Sequence, residues 1–411
     1  MRNAVVFAGV LGLAAASAWA GPTPQGVPFR VSSCTTTNCR QEKPAVAGSA
    51  TGGFLVAWEG SSPTDFHGVN GRPFNTTGVA AAADFSASKN VALDQYDAAV
   101  SRDAQGNYIV VWSEVAAGNS EIMGQRFLAT GAPVGAAFKV NQDAPGSPTI
   151  PADLRPSIAR TNDGGFVVVW LNALPIGNNF PGTTPQVLGR RFNAAGAPLG
   201  AQFQLSAGLL DDERPEVCVD TSGRIIAIWT SVDQFLPFQP NKKGISMRRL
   251  TPAGVPIAPP EVVVAPTANL LQPALACGSG STFVVVWHSD QAPAVEGTDI
   301  LGQRYSRLGR KAGPVFRLNT VTLKEQRNPS ISFDPKGNFV VVWQGYVGTS
   351  LGIFGRRFTT AGVPTGPEFS VVTDPHLKPI DARVAHIGTA GNFVVVWQSP
   401  TRAIFGRRFI P

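Results

Sequence analysis

The chain has 411 residues, of which 43% are hydrophobic and 15% are charged, and it contains 44 glycines and 34 prolines. The apolar fraction excludes an intrinsically disordered chain, and the glycine and proline content disfavours a helical bundle. A formal net charge of +7 would favour nucleic-acid binding only if the basic residues formed one patch.

The first segment, residues 1–20, has the features of a signal peptide. Arg2 supplies a positive start, residues 5–16 form an apolar run, and the tripeptide Ala-Trp-Ala at 18–20 resembles a cleavage site. No later apolar stretch approaches the roughly 20 residues needed to cross a bilayer. We therefore expect the mature protein, residues 21–411, to be secreted or periplasmic, without a lipid anchor or a membrane span.

Tryptophans divide the mature chain into seven similar units. They recur at intervals of 54 to 59 residues, and each follows a short run rich in valine or other aliphatic residues. Such runs are too short for helices and too apolar on both faces for an exposed sheet, so they predict buried strands. The seven residues are Trp58, Trp112, Trp170, Trp229, Trp287, Trp343 and Trp397.

Each unit contains four predicted strands. In the third unit they cover residues 156–159, 165–170, 187–192 and 203–206, separated by polar loops and a turn rich in glycine and proline. No helical periodicity appears in the mature chain. Four short antiparallel strands repeated seven times predict an all-β fold, a seven-bladed β-propeller of four-stranded antiparallel blades.

The two ends of the mature chain complement each other. The last unit ends at Pro411, directly after its predicted third strand at residues 404–409, and so lacks a fourth strand. Residues 29–32 match the fourth strands of other units, such as residues 138–141. We predict that residues 29–32 complete the last blade and close the ring as a single domain, which leaves only short exposed strand edges.

Three sequence patterns together mark the repeat. Residues 164–170 read Gly-Gly-Phe-Val-Val-Val-Trp, residues 122–127 read Ile-Met-Gly-Gln-Arg-Phe, and residues 131–140 fit Gly-x-Pro-x-Gly-x-x-Phe-x-Val. This combination resembles a bacterial repeat family of exported proteins and large adhesin-like chains. The resemblance covers essentially residues 27–411 and implies a propeller architecture rather than a particular reaction.

The cysteines give two different predictions. Cys34 and Cys39 are close enough to close a small loop, and an oxidising destination favours a disulfide between them. Cys218 and Cys277 occupy corresponding segments of successive units but lie 11 and 10 residues before the next tryptophan. Because a one-residue offset turns a strand side chain to the other face, we expect two separate buried thiols.

The arginines of the third strands account for eleven of the 34 basic residues. A ring distributes them around every blade, so they cannot form one stripe, and nucleic acid is not an expected partner. The planar donor groups of the second arginine in each pair, such as Arg191 and Arg408, are expected to clamp neighbouring blades through carbonyls or a carboxylate.

No motif for a metal, a cofactor or a nucleophile stands out. The four histidines lie in different units without metal-ligand spacing, and Ser350, in a Gly-x-Ser-x-Gly match, precedes a strand rather than a helix. Acidic and amide residues such as Asp153 and Asp211 precede many first strands, whose loops converge at one mouth of the channel. They could bind a cation or a sugar or act as acid and base, or they could simply cap turns and pair with arginines.

The links between second and third strands vary in length, and the two longest are adjacent, in units three and four. Their amides, aromatic rings and acidic group are typical of recognition surfaces, although long proline-rich turns would look the same. Together with two carboxylates before the first strands, the candidate ligand-binding residues are Asn178, Asn179, Phe180, Asp233, Phe235, Phe238, Asp153 and Asp211.

These patterns leave several functions open. The first hypothesis is a binding or scaffolding module that contacts an extracytoplasmic protein or glycan through its loop-rich face. The alternative is a glycan-cleaving hydrolase or lyase with carboxylates at the channel mouth, and a purely structural surface component is a third possibility. We expect a monomer without a metal or a cofactor, and the sequence leaves open whether it is an enzyme.

Overall fold

The computed structural model describes most of the mature chain. The described ranges are 21–34, 39–62, 65–88, 92–103, 105–116, 119–142, 152–173, 186–206, 213–232, 243–268, 272–290, 297–322, 324–373 and 378–411. The signal peptide predicted at residues 1–20 lies outside them. Within these ranges the only helical segment is a single 3₁₀ turn, Ser279–Ser281, and no helix is long and apolar enough to cross a membrane.

The strands form seven four-stranded antiparallel blades, which confirms the predicted propeller. Blade 1 comprises β2 (Gln41–Gly48), β3 (Phe54–Ser62), β4 (Asp65–Phe74) and β5 (Phe85–Ser86). Blade 2 comprises β6 (Asp94–Arg102), β7 (Tyr108–Ala116), β8 (Asn119–Phe127) and β9 (Pro133–Lys139). Blade 3 comprises β10 (Ala152–Arg160), β11 (Phe166–Ala173), β12 (Gln186–Phe192) and β13 (Phe203–Gln204). Blade 4 comprises β14 (Glu213–Val219), β15 (Ile225–Val232), β16 (Lys243–Leu250) and β17 (Glu261–Ala268).

The remaining blades follow the same order from the axis outward. Blade 5 comprises β18 (Ala274–Cys277), β19 (Phe283–Ser289), β20 (Asp299–Tyr305) and β21 (Phe316–Arg317). Blade 6 comprises β22 (Arg327–Phe333), β23 (Phe339–Val347), β24 (Ser350–Phe358) and β25 (Phe369–Val372). Blade 7 comprises β26 (Ile380–Ile387), β27 (Asn392–Gln398), β28 (Ile404–Ile410) and the N-terminal β1 (Thr23–Arg30).

The ring closes through blade 7, as the sequence predicts. Strand β1 pairs antiparallel with β28, placing Phe29 opposite Gly406, and the Val31 amide donates to the Ile404 carbonyl over 2.8 Å. The Phe29 ring covers Gly406 so closely that a Cβ there would lie 2.6 Å from it. This contact explains the glycine of the third-strand motif, because a side chain would displace the aromatic ring of the fourth strand.

Apolar layers between the blades form the core. Each of the seven repeat tryptophans is at most 2% exposed and packs against the second strand of the preceding blade. Trp58 of blade 1, for example, packs with Val394 and Val396 of blade 7. Seven such layers run around the ring without a gap, so that burial of apolar surface at every interface stabilises the closed form.

The third-strand arginines bridge the blades. In four blades the arginine at the second position donates to a carbonyl of the following blade, as from Arg408 to Thr77 over 2.7 Å and from Arg126 to Ala195 over 3.0 Å. These bonds confirm the predicted clamp for Arg408, whereas Arg191 pairs with Asp163 of its own blade over 3.4 Å. The first arginine also clamps, but toward the preceding blade, as from Arg407 to the Val371 carbonyl over 3.0 Å.

The cysteine predictions have opposite outcomes. Cys34 and Cys39 form the expected disulfide. The prediction for Cys218 and Cys277 is wrong, because they form a second disulfide between the inner strands of blades 4 and 5. Neighbouring blades turn opposite faces toward the apolar layer that they share. The one-residue offset puts Cys218 and Cys277 on opposite faces of their strands, so both sulfurs point into that layer and meet. Two disulfides agree with folding in an oxidising compartment.

Candidate functional site

The inner strands of all seven blades surround one cavity of about 520 Å³. Its wall is made by short runs of residues in or next to the inner strands, such as 43–46 in β2 and 97–100 in β6, and its rim carries one polar side chain from each blade. We call these rim residues the mouth ring: Lys43, Asp97, Arg155, Arg214, Gln272, Asn328 and Asp381.

A backbone irregularity presents most of the mouth ring to the cavity. Six inner strands shift register at this position, and the residue there adopts a left-handed backbone conformation. The φ angles are 45° at Lys43, 53° at Asp97, 55° at Arg155, 50° at Arg214, 51° at Asn328 and 51° at Asp381. Left-handed backbone costs a non-glycine residue roughly 1–2 kcal/mol, and such strain concentrates at functional sites.

The preceding blade holds three of these bulges in place. In each of the three, the residue after the core tryptophan of one blade accepts the backbone N–H of the mouth-ring residue in the following blade. Gln398 Oε1 accepts from Lys43 over 3.1 Å, Ser113 Oγ accepts from Arg155 over 3.2 Å, and Glu59 Oε1 accepts from Asp97. The ring is therefore fixed by the rigid second strands.

Two carboxylates meet at the rim between blades 1 and 2. The Lys43 ammonium lies 3.1 Å from Asp97 Oδ1 and 3.2 Å from Glu59 Oε1. Glu59 is 7% exposed, whereas a quarter of the Asp97 side-chain surface is accessible and lines the cavity. We call Glu59 and Asp97 the carboxylate pair.

Glu59 and Lys43 both have shifted pKa values, for different physical reasons. Burial raises the pKa of Glu59 to about 7, and the nearby charge of Lys43 only partly offsets that effect. Burial alone would lower the pKa of Lys43, but the charges of Asp97 and Glu59 outweigh it and raise the pKa. Near neutral pH the site thus combines a charged ammonium with a carboxyl group that can donate or accept a proton.

An aromatic group adjoins the carboxylate pair. His67 Nδ1 lies 2.9 Å from Asp94 Oδ1, and the Tyr96 hydroxyl donates to Asp94 Oδ2 over 3.1 Å. The two rings are 5.5 Å apart, and the Lys43 ammonium lies 6.0 Å from the Tyr96 ring centroid. Flat rings beside carboxylates provide both apolar faces and polar edges for a ligand.

The next two blades of the ring, blades 3 and 4, place arginines and one carboxylate on the cavity wall. Glu216, one tier below Arg214, accepts a hydrogen bond from Ser157 Oγ over 3.2 Å. Burial raises the pKa of Glu216, and the charges of Arg383 and Arg214 work against that rise. The cavity therefore has a carboxylate-rich side at blades 1 and 2 and an arginine-rich side at blades 3 and 4.

Two of the described histidines, His288 and His386, lie outside the cluster of His67, Asp94 and Tyr96. Burial lowers the pKa of both His288 and His386 to about 4, so both are neutral at physiological pH. Across the ranges that the structure describes, no group of three or more His, Cys, Asp or Glu side chains could hold a metal ion.

Most of the site residues predicted from sequence stay predictions. Asn178, Asn179, Phe180, Asp211, Asp233, Phe235 and Phe238 lie outside the described residues. The Asp153 backbone belongs to β10 and pairs with Asn172 of β11, but its side chain is likewise outside the description. Three further acidic and amide residues at or near the start of the inner strands line the cavity: Asp97, Gln272 and Asp381.

Sequence reasoning missed the roles of Lys43 and Glu59. A signal was present, because the mouth-ring residue lies 15 positions before the tryptophan in six units and 16 in the seventh, and proline often follows it. Glu59 directly follows Trp58. That these two recurrent positions meet across neighbouring blades follows only from the ring geometry.

Comparison with known proteins supports the fold. No protein-family model and no curated protein matches the chain. A Dyadobacter fermentans protein of unknown function is similar, with a TM-score of 0.55 and 10% identity, covering 93% of this chain and 98% of that one. An ulvan lyase of polysaccharide lyase family PL25, bound to -[GlcA(1-4)Rha3S]-, has a TM-score of 0.56 and 9% identity, covering 92% and 95%.

A third similar structure is the GH93 α-L-arabinofuranosidase of Fusarium graminearum in complex with arabinobiose. Its TM-score is 0.51 at 10% identity, and the alignment covers 93% of this chain and 98% of that one. At these identities the likenesses establish the propeller architecture alone.

Proposed function

We propose that the protein is a glycan-cleaving enzyme that acts at the channel mouth, with Glu59 and Asp97 as its reacting carboxylates. The observation that carries the proposal is the carboxylate pair: a buried carboxyl and a more exposed one, held by a single ammonium at the rim of a cavity of about 520 Å³. The similar ulvan lyase and arabinofuranosidase, which are glycan-active by name, support the substrate class.

The environments of the two carboxylates assign their roles in hydrolysis. Glu59 Oε1 accepts from the Asp97 amide and lies beside Lys43, so Oε2 is left to carry the proton. In this mechanism Glu59 protonates the glycosidic oxygen, and the Asp97 carboxylate attacks the anomeric carbon from the cavity side. Water then hydrolyses the glycosyl intermediate, with Glu59 accepting the proton of that water.

The spacing favours a retaining mechanism. Because both carboxylate oxygens contact one ammonium nitrogen, they lie at most about 6 Å apart, compared with roughly 5–5.5 Å in retaining and 6.5–9.5 Å in inverting enzymes. Lys43 would orient both groups, and its charge would stabilise the ionised form of each.

We further propose that this activity takes place outside the cytoplasm, in the periplasm or in the medium. The two disulfides and the signal-peptide pattern of residues 1–20 support that location.

A glycan binding and cleavage screen tests the proposal. Purified protein is incubated with neutral and acidic plant and algal oligosaccharides, and reducing ends, unsaturated products and product stereochemistry are measured. We expect new reducing ends with retained configuration, and loss of about 10²-fold or more of the rate in Glu59→Gln and Asp97→Asn. Both substitutions are isosteric and keep an acceptor or donor for their neighbours.

Glu121→Gln in blade 2 is the matched control, because its carboxylate pairs with Lys139 over 2.6 Å away from the cavity lining. Binding without turnover would replace the enzymatic proposal with the binding-module hypothesis. Unsaturated products would indicate a lyase instead, with the His67, Asp94 and Tyr96 cluster as the place to look for its base and acid.

A further inference from the structure

The arginine-rich side of the mouth lies next to the carboxylate pair, because blade 3 follows blade 2 in the ring. We propose that Arg155 and Arg214 form a subsite for an anionic group, a carboxylate or a sulfate, on the bound glycan. This inference rests on the proposed glycan function and adds the substrate class, an acidic glycan.

Arg155 differs from most other cations at this end of the molecule. Lys43, Arg40 and Arg327 form ion pairs with Asp97, Glu42 and Glu325, respectively. Among the described residues, no carboxylate forms an ion pair with the Arg155 guanidinium, although the side chain is exposed and lines the cavity. A cation whose charge is not neutralised by the protein is available to a ligand.

The backbone at Arg155 indicates that its position is fixed rather than incidental. The residue has a φ of 55° and precedes Pro156. A positive φ is uncommon for a residue other than glycine, and a following proline further limits the backbone conformations that a residue can adopt. Its N–H is held by Ser113 of blade 2 over 3.2 Å. Arg214, with a φ of 50° before Pro215, repeats the positive φ and the following proline in the next blade.

Guanidinium groups on two adjacent blades suit an anion with several acceptor oxygens. The fork of N–H donors of a guanidinium matches a carboxylate or sulfate better than an ammonium does. Arg383 of blade 7 also lines the cavity, but Asp381 lies two residues before it, and the charge of Arg383 acts on the buried Glu216. These two carboxylates offset the charge of Arg383, which favours the rim of blades 3 and 4 for the anion.

The cavity links the two sides of the mouth. A volume of about 520 Å³ is within the range of roughly 300–1,000 Å³ typical of small-molecule sites. A short oligosaccharide anchored at Arg155 and Arg214 can therefore extend toward the carboxylate pair. The anchor would fix which bond of the chain reaches Glu59 and Asp97.

Calorimetric titration with defined probes tests the subsite. The probes are an oligogalacturonate, which carries carboxylates, a carrageenan oligosaccharide, which carries only sulfates, and a neutral arabino-oligosaccharide of equal length. The test variant is Arg155→Gln/Arg214→Gln. The control Arg310→Gln/Lys311→Gln removes the same charge from two exposed residues outside the cavity lining, so nonspecific attraction to the basic protein affects both variants equally.

We expect at least one anionic probe to bind, and the test variant to weaken that binding about tenfold to a hundredfold while the control does not. The more affected probe identifies the anion as carboxylate or sulfate. Equal binding of anionic probes to the test variant and the wild type, or no binding of either anionic probe, overturns the inference.

The two proposals fail in different ways. Cleavage of neutral glycans that depends on Glu59 but not on the arginines retains the proposed function and overturns the anionic subsite. Arginine-dependent binding of an acidic glycan that is never cleaved retains the subsite and overturns the proposed function.

Discussion

The ionisation of Glu59 should make the stability of the whole protein depend on pH. Its pKa rises from an ordinary value of 4.5 to about 7 because the side chain is buried. Between these values the folded protein holds a proton that the unfolded chain releases, so the free energy of unfolding falls as pH rises. A shift of this size corresponds to about 3 kcal/mol, fully present below pH 4.5 and lost above pH 7.

Glu59→Gln removes this titration while keeping the acceptor for the Asp97 amide. We therefore compare the free energy of unfolding of the variant with that of the wild type at each pH. The difference, variant minus wild type, should rise by about 3 kcal/mol from pH 4 to pH 8. Urea unfolding followed by tryptophan fluorescence at one-unit pH steps measures this difference, and equal m-values show that the unfolded states are comparable. Titration of Glu216, the histidines and other groups is common to both proteins and cancels.

The control is Glu121→Gln, which removes a partly exposed ion pair with Lys139 and should cost no more than about 1 kcal/mol. A difference between wild type and Glu59→Gln that is flat from pH 4 to pH 8 would refute the reasoning. Glu59 would then ionise normally, and its role as a proton donor near neutral pH would fail with it.

Three further predictions concern activity and ring closure. If Glu59 is the acid, kcat/KM for glycan cleavage should fall about tenfold per pH unit above pH 7, as measured by initial rates. Phe29→Ala, which uncovers Gly406 in the closing sheet, should destabilise the protein by about 2 kcal/mol in urea unfolding. Cys218→Ser, which breaks the bridge to Cys277, should cost about 2–4 kcal/mol, and a reductant should abolish its difference from wild type.

Each of these predictions has a distinct contradiction. A rate profile that is level through pH 9 would remove Glu59 from the role of acid. An unchanged Phe29→Ala variant would mean that the terminal strand contributes little to closure, and Val27→Ala, at an 81% exposed position of the same strand, is its control. A Cys218→Ser variant that stays less stable than wild type in reductant would trace the loss to packing rather than to the bridge.

The fold was readable from sequence because its information is local and repeated. Each tryptophan strand and each Gly-x-Arg strand carries its own burial pattern, and seven copies confirm one another. Even closure was predictable, since residues 29–32 supply the strand that the last unit lacks. The Cys218–Cys277 bridge was not predicted, because the face argument treated one strand in isolation. In stacked blades, opposite faces of neighbouring sheets are in contact.

The site was harder to predict from the sequence than the fold, because its residues come from different blades. Glu59 and Asp97 are separated by 38 residues in sequence, and each alone resembles an ordinary polar residue at the end of a strand. Their contact depends on the bulge that turns Asp97 to the rim and on the ring that places β3 beside β6. Neither the left-handed backbone at Asp97 nor its hydrogen bond to Glu59 has a signature in the residue types themselves.

The mouth ring shows how this scaffold can carry chemistry at little cost to folding. The seven ring positions hold two aspartates, a glutamine, an asparagine, a lysine and two arginines, while the apolar layers behind them remain alike. At Lys43, Asp97 and Arg155 the bulge is held through the backbone N–H by a side chain of the preceding blade, so the ring side chain itself is not needed for that bond. Function at this rim should therefore follow from which charges occupy neighbouring blades, and here they place a carboxylate pair next to two arginines.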